Sequence, residues 1–202
     1  MAAPAGAAGR RVLAIDGPSG SGKTTLAEQL AVHLDPRAGA GIEAGIGAGI
    51  GAGPRPASMV TVVHLDDLYP GWDGLEEGVD RALDGVLRPL AGGRPEVVER
   101  RWDWQAGRDA EPVTVPATEV TMVEGVGSGA LRCAPFLSLL IWLDGPAQRR
   151  RERALARDGE MFAPHWDRWA AQERAHFARE RTRDRADIVL DETQVNHVHG
   201  AG

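Results

Sequence analysis

The octapeptide Gly17-Pro18-Ser19-Gly20-Ser21-Gly22-Lys23-Thr24 restricts the fold of this chain more than any other segment. It fits the pattern G-x-x-x-x-G-K-[ST] in full, a pattern that needs a strand before it and a helix after it. Both are present. Val12-Leu13-Ala14-Ile15 is a short apolar run, as expected of a strand buried on both faces. Leu26, Ala27, Leu30, Ala31 and Leu34 then recur at helical spacing until Asp35-Pro36 ends the helix. The residue types have chemical reasons. Glycines let backbone N–H groups turn inward and approach phosphate oxygens. The helix beginning near Lys23 adds its positive end to that anion site. Lys23 would reach the β- and γ-phosphates as a point charge, and the Thr24 hydroxyl would ligate Mg²⁺. With Thr25 on the same turn, residues 17–25 form the expected ATP site. The alternative, a Gly/Ser turn, is disfavoured by one count: of 23 basic residues only Lys23 is a lysine. Arginine serves everywhere else, so the one compact ammonium stands in the motif's lysine slot.

The remaining pattern alternates strands with helices. Val60 to Leu65, Val120 to Val123, Phe136 to Leu143 and Ile188 to Leu190 read as strands, and Val79, Leu83, Val86 and Leu90 mark a helix. Arg100 to Arg108, polar and tryptophan-bearing, reads as loop or edge structure. An Arg-rich helical region covers roughly residues 146–183, with breaks expected near Gly159 and Pro164. The expected fold class is therefore α/β: three layers, a central, mostly parallel five-stranded sheet, helices on both faces and an Arg-rich helical lid. Residues 1–10 are expected to be disordered and 194–202 to form a flexible tail, leaving one domain over 11–193. Within it, 38–57 reads as an insertion. From Ala38 to Gly53 seven of sixteen residues are Gly and five are Ala, a low-complexity run too short to stack as a solenoid. That insertion explains part of a glycine content of 26 in 202, about twice the ~7% background.

Charge and cysteine usage exclude other classes. A net charge of −6 argues against nucleic acid as a partner. The single cysteine, Cys133, excludes a disulfide framework and a four-thiolate zinc site. No apolar run approaches the ~20 residues of a membrane helix, and the start carries no apolar export core. A cytoplasmic protein acting on a small-molecule acceptor is expected.

Acids stand where strands should end, at the edge where open α/β sheets bind ligands. Asp66 and Asp67 follow the second strand and Glu124 the third. In an extended strand, only one of Asp66 and Asp67 would face the phosphates. One carboxylate could orient or deprotonate an acceptor hydroxyl while another holds the metal or its waters. The structural alternative is turn or cap residues.

The order of Gly17 to Thr24, His64-Leu65-Asp66-Asp67-Leu68-Tyr69, Trp102-Asp103-Trp104, Glu124-Gly125 and the Arg-rich helix resembles the uridine kinase branch of the P-loop kinases. That branch carries Ser-x-Asp-x-Phe-Tyr after its second strand. Alignment on acid and tyrosine selects Asp66, and the resemblance implies Asp66 as catalytic base, Tyr69 in the substrate pocket, and Asp66 and Glu124 near magnesium. In the family Tyr-Asp-Phe followed by His and Arg lies beside the nucleoside, which implies Trp102, Trp104 and Arg108 as substrate residues here. Family lid arginines ahead of an Arg-Asp pair correspond to Arg150, Arg153 and Arg157-Asp158. At i, i+3 and i+7 these arginines share a helix face, so three guanidiniums could close over a triphosphate. The chain departs from the pattern in lacking the base-contacting histidine, since Gln105-Ala106-Gly107 is shorter and has no imidazole.

The function expected from these features is transfer of the γ-phosphate of ATP to a metabolite hydroxyl, with a nucleoside-like acceptor favoured by the resemblance. A nucleoside monophosphate, a sugar-type acceptor, and an ATPase module with no acceptor remain alternatives. Trp166, Trp169, Ala170, Glu173 and Phe177 form a helical stripe, expected to be core, with an acceptor pocket as the alternative.

Overall fold

The computed structural model describes residues 9–35 and 58–191. The expectations for residues 1–8, for the Gly/Ala insertion up to Pro56-Ala57 and for the tail after Asp191 lie outside the described residues.

β1 (Arg11–Asp16) runs into the glycine loop and α1 (Lys23–Leu34), followed by β2 (Val60–His64). α2 (Leu75–Ala82) continues through a π turn at Leu83–Leu87 into Arg88–Ala91. Four short strands come next: β3 (Glu96–Glu99), β4 (Trp102–Asp103), β5 (Arg108–Asp109) and β6 (Val113–Pro116). β7 (Val120–Glu124) and β8 (Leu139–Asp144) lead to α3 (Ala147–Phe162), α4 (Trp166–Glu180), α5 (Thr182–Arg185) and β9 (Ile188–Asp191).

The main sheet has the order β2-β7-β1-β8-β9, and every pairing in it is parallel. The expectation of a mostly parallel sheet is thus sharpened to a wholly parallel one. Strand alternation divides the core. Ala14, Val63, Val123 and Leu140 face α2, α3 and α4, whereas Ile15, Met122, Ile141 and Leu143 face Leu26, Ala27 and Ala31 of α1. A sheet covered on both faces explains why its strands read as continuous apolar runs.

Two expectations need correction and a third is sharpened. The fourth strand starts at Leu139, because Pro135 and its neighbours form a 3₁₀ turn, Ala134–Phe136, before it. The segment read as loop or edge structure takes the second form and reaches further than Arg100 to Arg108: β3 pairs with β6, and β4 with β5, as small antiparallel ribbons outside the main sheet. Finally, the chain does not stay extended after β2. It turns at once through a 3₁₀ segment, Leu65–Asp67, so the alternation rule does not separate Asp66 from Asp67.

The Arg-rich region bends where glycine and proline stand. Gly159 has φ 57°, inside the left-handed region, and Ala163–His165 forms a 3₁₀ turn around Pro164. This bend carries Phe162 and α4 back over the C-terminal edge of the sheet.

Candidate active site

The phosphate loop is backbone pressed against backbone. A Cβ at Gly17 would stand 2.0 Å from the Leu143 carbonyl oxygen, and one at Gly20 would stand 2.1 Å from that of Arg150. With φ of 145° and 75°, both positions require glycine. Gly22 caps α1 in a left-handed conformation. The first-turn amides of α1 have no intrahelical acceptor and are open to an anion. Lys23 is buried, with Nζ 3.1 Å from the Pro18 carbonyl oxygen across the loop.

Asp16, which sequence reasoning passed over, holds the loop at its root. Its carboxylate accepts from the amides of Gly17 (2.7 Å), Gly127 (2.9 Å) and Gly129 (3.0 Å). Complete burial pushes this carboxyl up, and the three amides and Lys23 only partly counter it. The only sequence signal was an acid at the end of a buried strand.

Two cavities open above the sheet. The first, of 340 Å³, is lined by Ser19, Gly20, Gly22, Lys23, Thr24 and Thr25 of the loop, with Glu28, Asp66, Glu124, Arg153, Ala154 and Arg157. Gly17, Pro18 and Ser21 shape the loop without lining this space. The Thr24 hydroxyl donates to Oε1 of Glu124 at 3.1 Å, and Nδ1 of His64 lies 2.6 Å from the same oxygen. Burial raises the Glu124 carboxyl, but the His64 hydrogen bond and the Lys23 charge outweigh it and hold the group below the ordinary carboxylate range. The contact raises His64 in turn, against burial, helped by Asp67 and Asp66. These features fit a nucleotide and its metal: a cradle that any side chain would fill, one buried ammonium, and two hard oxygen donors, Thr24 and Glu124.

The second cavity, of 480 Å³, is lined by Ser19, Asp66, Asp67, Tyr69, Trp72, Trp104, Arg157, Met161, Phe162 and Trp169. Its walls are rings. Trp72 stacks on Phe162 (5.2 Å, 12°) and is tilted against Trp104 (4.6 Å, 52°), and Trp169 meets Tyr69 edge-on at 4.8 Å. The polar ends of Trp104, Tyr69 and Trp169 are already used, that of Trp169 on the Ser19 hydroxyl at 3.0 Å. Trp104 Nε1 donates to the Asp66 carbonyl at 3.0 Å, and the Tyr69 hydroxyl donates to the Val126 carbonyl at 2.8 Å. Burial, then neighbouring carboxylates, push the Tyr69 phenol well above its usual range, so it remains a donor.

Ser19, Asp66 and Arg157 line both cavities, and an Arg157 guanidinium nitrogen lies 3.5 Å from Oδ2 of Asp66. Asp67 lines only the aromatic cavity, 3.7 Å from Arg101.

The other expected site residues are distributed unevenly. Arg153 and Arg157 line the phosphate cavity. Arg150 does not: it donates to the carbonyls of Gly145 and Ser19, each at 3.0 Å, and so braces the loop. A cluster of three guanidiniums over a triphosphate is therefore corrected to two. Trp102 pairs with Asp109 and its ring faces Gly71, while Arg108 is exposed; neither lines the aromatic cavity. Trp72, Phe162 and Met161 line it without having been singled out for that role. Trp169, expected as core, is both buried and a cavity wall.

No family model matches the chain. Over 186 residues it is 24% identical to a cytidylate kinase of Haloarcula marismortui, spanning 91% of this chain and 77% of that protein. A structure of a possible uridine kinase from Bacillus stearothermophilus superposes with a TM-score of 0.59 at 26% identity, covering 91% of this chain and 90% of the other. A protein of Silicibacter sp. TM1040, provisionally described as a fructose transport system kinase, superposes with a TM-score of 0.55 at 18% identity, covering 91% and 90%. These similarities and the loop geometry agree: the chain has the P-loop α/β fold and is similar to kinases of that fold, the uridine kinase-like branch among them.

Proposed function

We propose that the chain transfers the γ-phosphate of ATP to a hydroxyl of a small, uncharged, nucleoside-like acceptor seated in the aromatic cavity, in a cytoplasmic setting. The observation that carries this reading is that the two cavities meet at Asp66. A carboxylate on that shared wall is within reach of both a phosphate in one space and an acceptor in the other. In the reaction the acceptor hydroxyl loses its proton to the Asp66 carboxylate as its oxygen bonds to the γ-phosphorus. The bond from that phosphorus to the β-bridging oxygen breaks, and ADP leaves. Lys23 and the loop amides hold the phosphates, and Arg153 and Arg157 meet the charge spreading on the transferred group. Thr24 and Glu124 would hold Mg²⁺, which when bound neutralises charge on the β- and γ-oxygens.

The acceptor class follows from the walls. Indole and phenyl faces suit a flat ring, and the polar atoms of Trp104, Tyr69 and Trp169 are engaged by protein. The cavity is lined by two carboxylates, Asp66 and Asp67, and by one guanidinium, Arg157, itself beside Asp66. A second phosphate on the acceptor would meet more negative than positive charge there, which disfavours a monophosphate.

Labelled ATP and Mg²⁺ incubated with nucleosides, nucleoside monophosphates and sugars tests the reading, with Lys23→Ala and Asp66→Asn alongside. Label should appear in an uncharged acceptor and be lost in both variants. Label in monophosphates alone would overturn the acceptor class. Label in no acceptor, with phosphate release untouched by Asp66→Asn, would make the protein an ATPase module instead.

A further inference from the structure

Ser19, at the crest of the phosphate loop, has all three of its polar groups held by the two helices that also wall the aromatic cavity. Its amide donates to Oε1 of Glu173 at 2.9 Å, its hydroxyl accepts from Trp169 Nε1 at 3.0 Å, and its carbonyl accepts from Arg150 at 3.0 Å. The Trp169 N–H is shared with Oε1 of Glu173 at 2.9 Å. One carboxylate oxygen thus receives a loop amide and an indole together.

Glu173 is 4% exposed and belongs to no ion pair among the described residues. A buried carboxylate met by neutral N–H donors alone is costly, and an apolar side chain on this face of α4 would pack without that cost. What the carboxylate supplies, and an apolar residue would not, is a fixed acceptor for the Ser19 amide. Around Ser19 the loop's other backbone anchors fall on carbonyls, that of Pro18 held by Lys23 and that of Ser19 by Arg150, which leaves the Ser19 amide to Glu173. Trp169 completes the link, since its ring lines the aromatic cavity against Tyr69.

We infer that Glu173 is a positioning residue, which sets the Ser19 peptide of the phosphate loop and ties it to the Trp169 wall, so that the nucleotide and acceptor sites are aligned through one carboxylate. Glu173 lines neither cavity and acts through Ser19 and Trp169.

The inference rests on the nucleotide half of the proposed function, and its test needs no acceptor. Titration calorimetry gives the MgATP Kd of the full chain, and hydrogen exchange with mass spectrometry follows the peptide spanning residues 17–24. Glu173→Gln keeps an oxygen acceptor of the same reach and should stay within about threefold of the parent Kd, while Glu173→Leu should weaken MgATP about tenfold or more. Glu173→Leu should also speed exchange in the loop peptide and leave the rest of α1 unchanged. Glu173→Asp, which withdraws the carboxylate by one methylene, should fall between them and serves if the leucine variant does not fold. Parent-like MgATP binding and loop exchange in the folded Leu or Asp variant would overturn the inference, as would equal losses in Gln and Leu. A parent chain that binds no MgATP would instead overturn the kinase reading itself.

Discussion

The two cavities are built from different material. The phosphate cavity is largely backbone from one contiguous stretch, Ser19 to Thr25, with carboxylates and guanidiniums added at its rim. The aromatic cavity is walled mainly by rings and, apart from Ser19, is gathered from the β2–α2 connection, the β4–β5 ribbon and both arms of the bend at Gly159. A phosphate is recognised by amides whose positions a short local sequence can dictate. A flat acceptor is recognised by ring faces whose positions depend on the whole fold. The first cavity is therefore sensitive to any added atom, and the second to lost ones.

The largest effects are expected in the backbone cavity. Gly20→Ala would drive a Cβ to 2.1 Å from a main-chain oxygen of α3, which no side-chain rotation relieves. MgATP binding by calorimetry should fall beyond about 100-fold, corresponding to roughly 3 kcal/mol. Lys23→Ala removes the only ammonium and should lower kcat by about 10³-fold or more while the fold persists. Parent-like MgATP affinity in Gly20→Ala would show that the loop is not held as rigidly as its contacts imply. Next comes the shared wall. Asp66→Asn should reduce kcat by about 10²–10⁴-fold and leave MgATP affinity nearly unchanged, because the group acts on the acceptor proton. An equal loss in MgATP affinity would assign Asp66 to the metal instead.

This division explains what could be read from the chain before folding. The loop, its flanking strand and helix, and the apolar strands of the sheet are local patterns, and they stand in the structure close to where periodicity set them. The aromatic wall was only half readable. Trp104 is found there, but Trp102, two residues away, is turned to Gly71 by its pairing with Asp109. Trp72 carried no motif; its role arises because the bend at Gly159 brings Phe162 onto it. Arg150 shows the converse. Helical spacing correctly groups it with Arg153 and Arg157, but spacing says nothing of the carbonyls of Gly145 and Ser19 that take its donors. Asp16 leaves no trace in periodicity, and Glu173, though on the helical stripe of Trp169 and Phe177, reads only as core there, because the amides of Gly127, Gly129 and Ser19 that they accept from are remote in sequence.

Smaller effects should separate the side-chain cavity from the backbone one. Trp104→Ala and Trp72→Ala each remove a ring face and should raise the acceptor KM about tenfold, the scale of one aromatic contact plus its buried area, with the KM for ATP moving less than twofold. Trp102→Ala, outside the cavity, should leave the acceptor KM unchanged. Steady-state kinetics on any acceptor that takes label would decide this. A Trp102 effect as large as that of Trp104 would mean that the β4–β5 ribbon moves onto the acceptor.

The smallest expected effect concerns what holds the aromatic wall in place. Glu76, in the first turn of α2, meets Nδ1 of His176 at 2.6 Å, Arg179 at 2.5 Å and Arg132 at 3.0 Å, fastening α4 to α2. Burial raises its carboxyl, but these partners outweigh it and hold the group down at about 2, from an ordinary 4.5. A carboxyl lowered on folding contributes stability that is fully present above about 4.5 and is lost as pH falls toward about 2, since the unfolded chain then binds the proton first. Glu76 is half exposed, so solvent screens much of this contribution. Glu76→Gln should lower the thermal midpoint at neutral pH by a few degrees, with the gap from the parent narrowing below about pH 4.5 and closing near pH 2. The loss should reach both sites, raising the KM for the acceptor and for ATP together, because α4 carries Trp169 of the aromatic wall and Glu173, which accepts from the Ser19 amide. A gap that stayed constant from pH 7 to pH 2 would mean that Glu76 contributes by packing and not by charge.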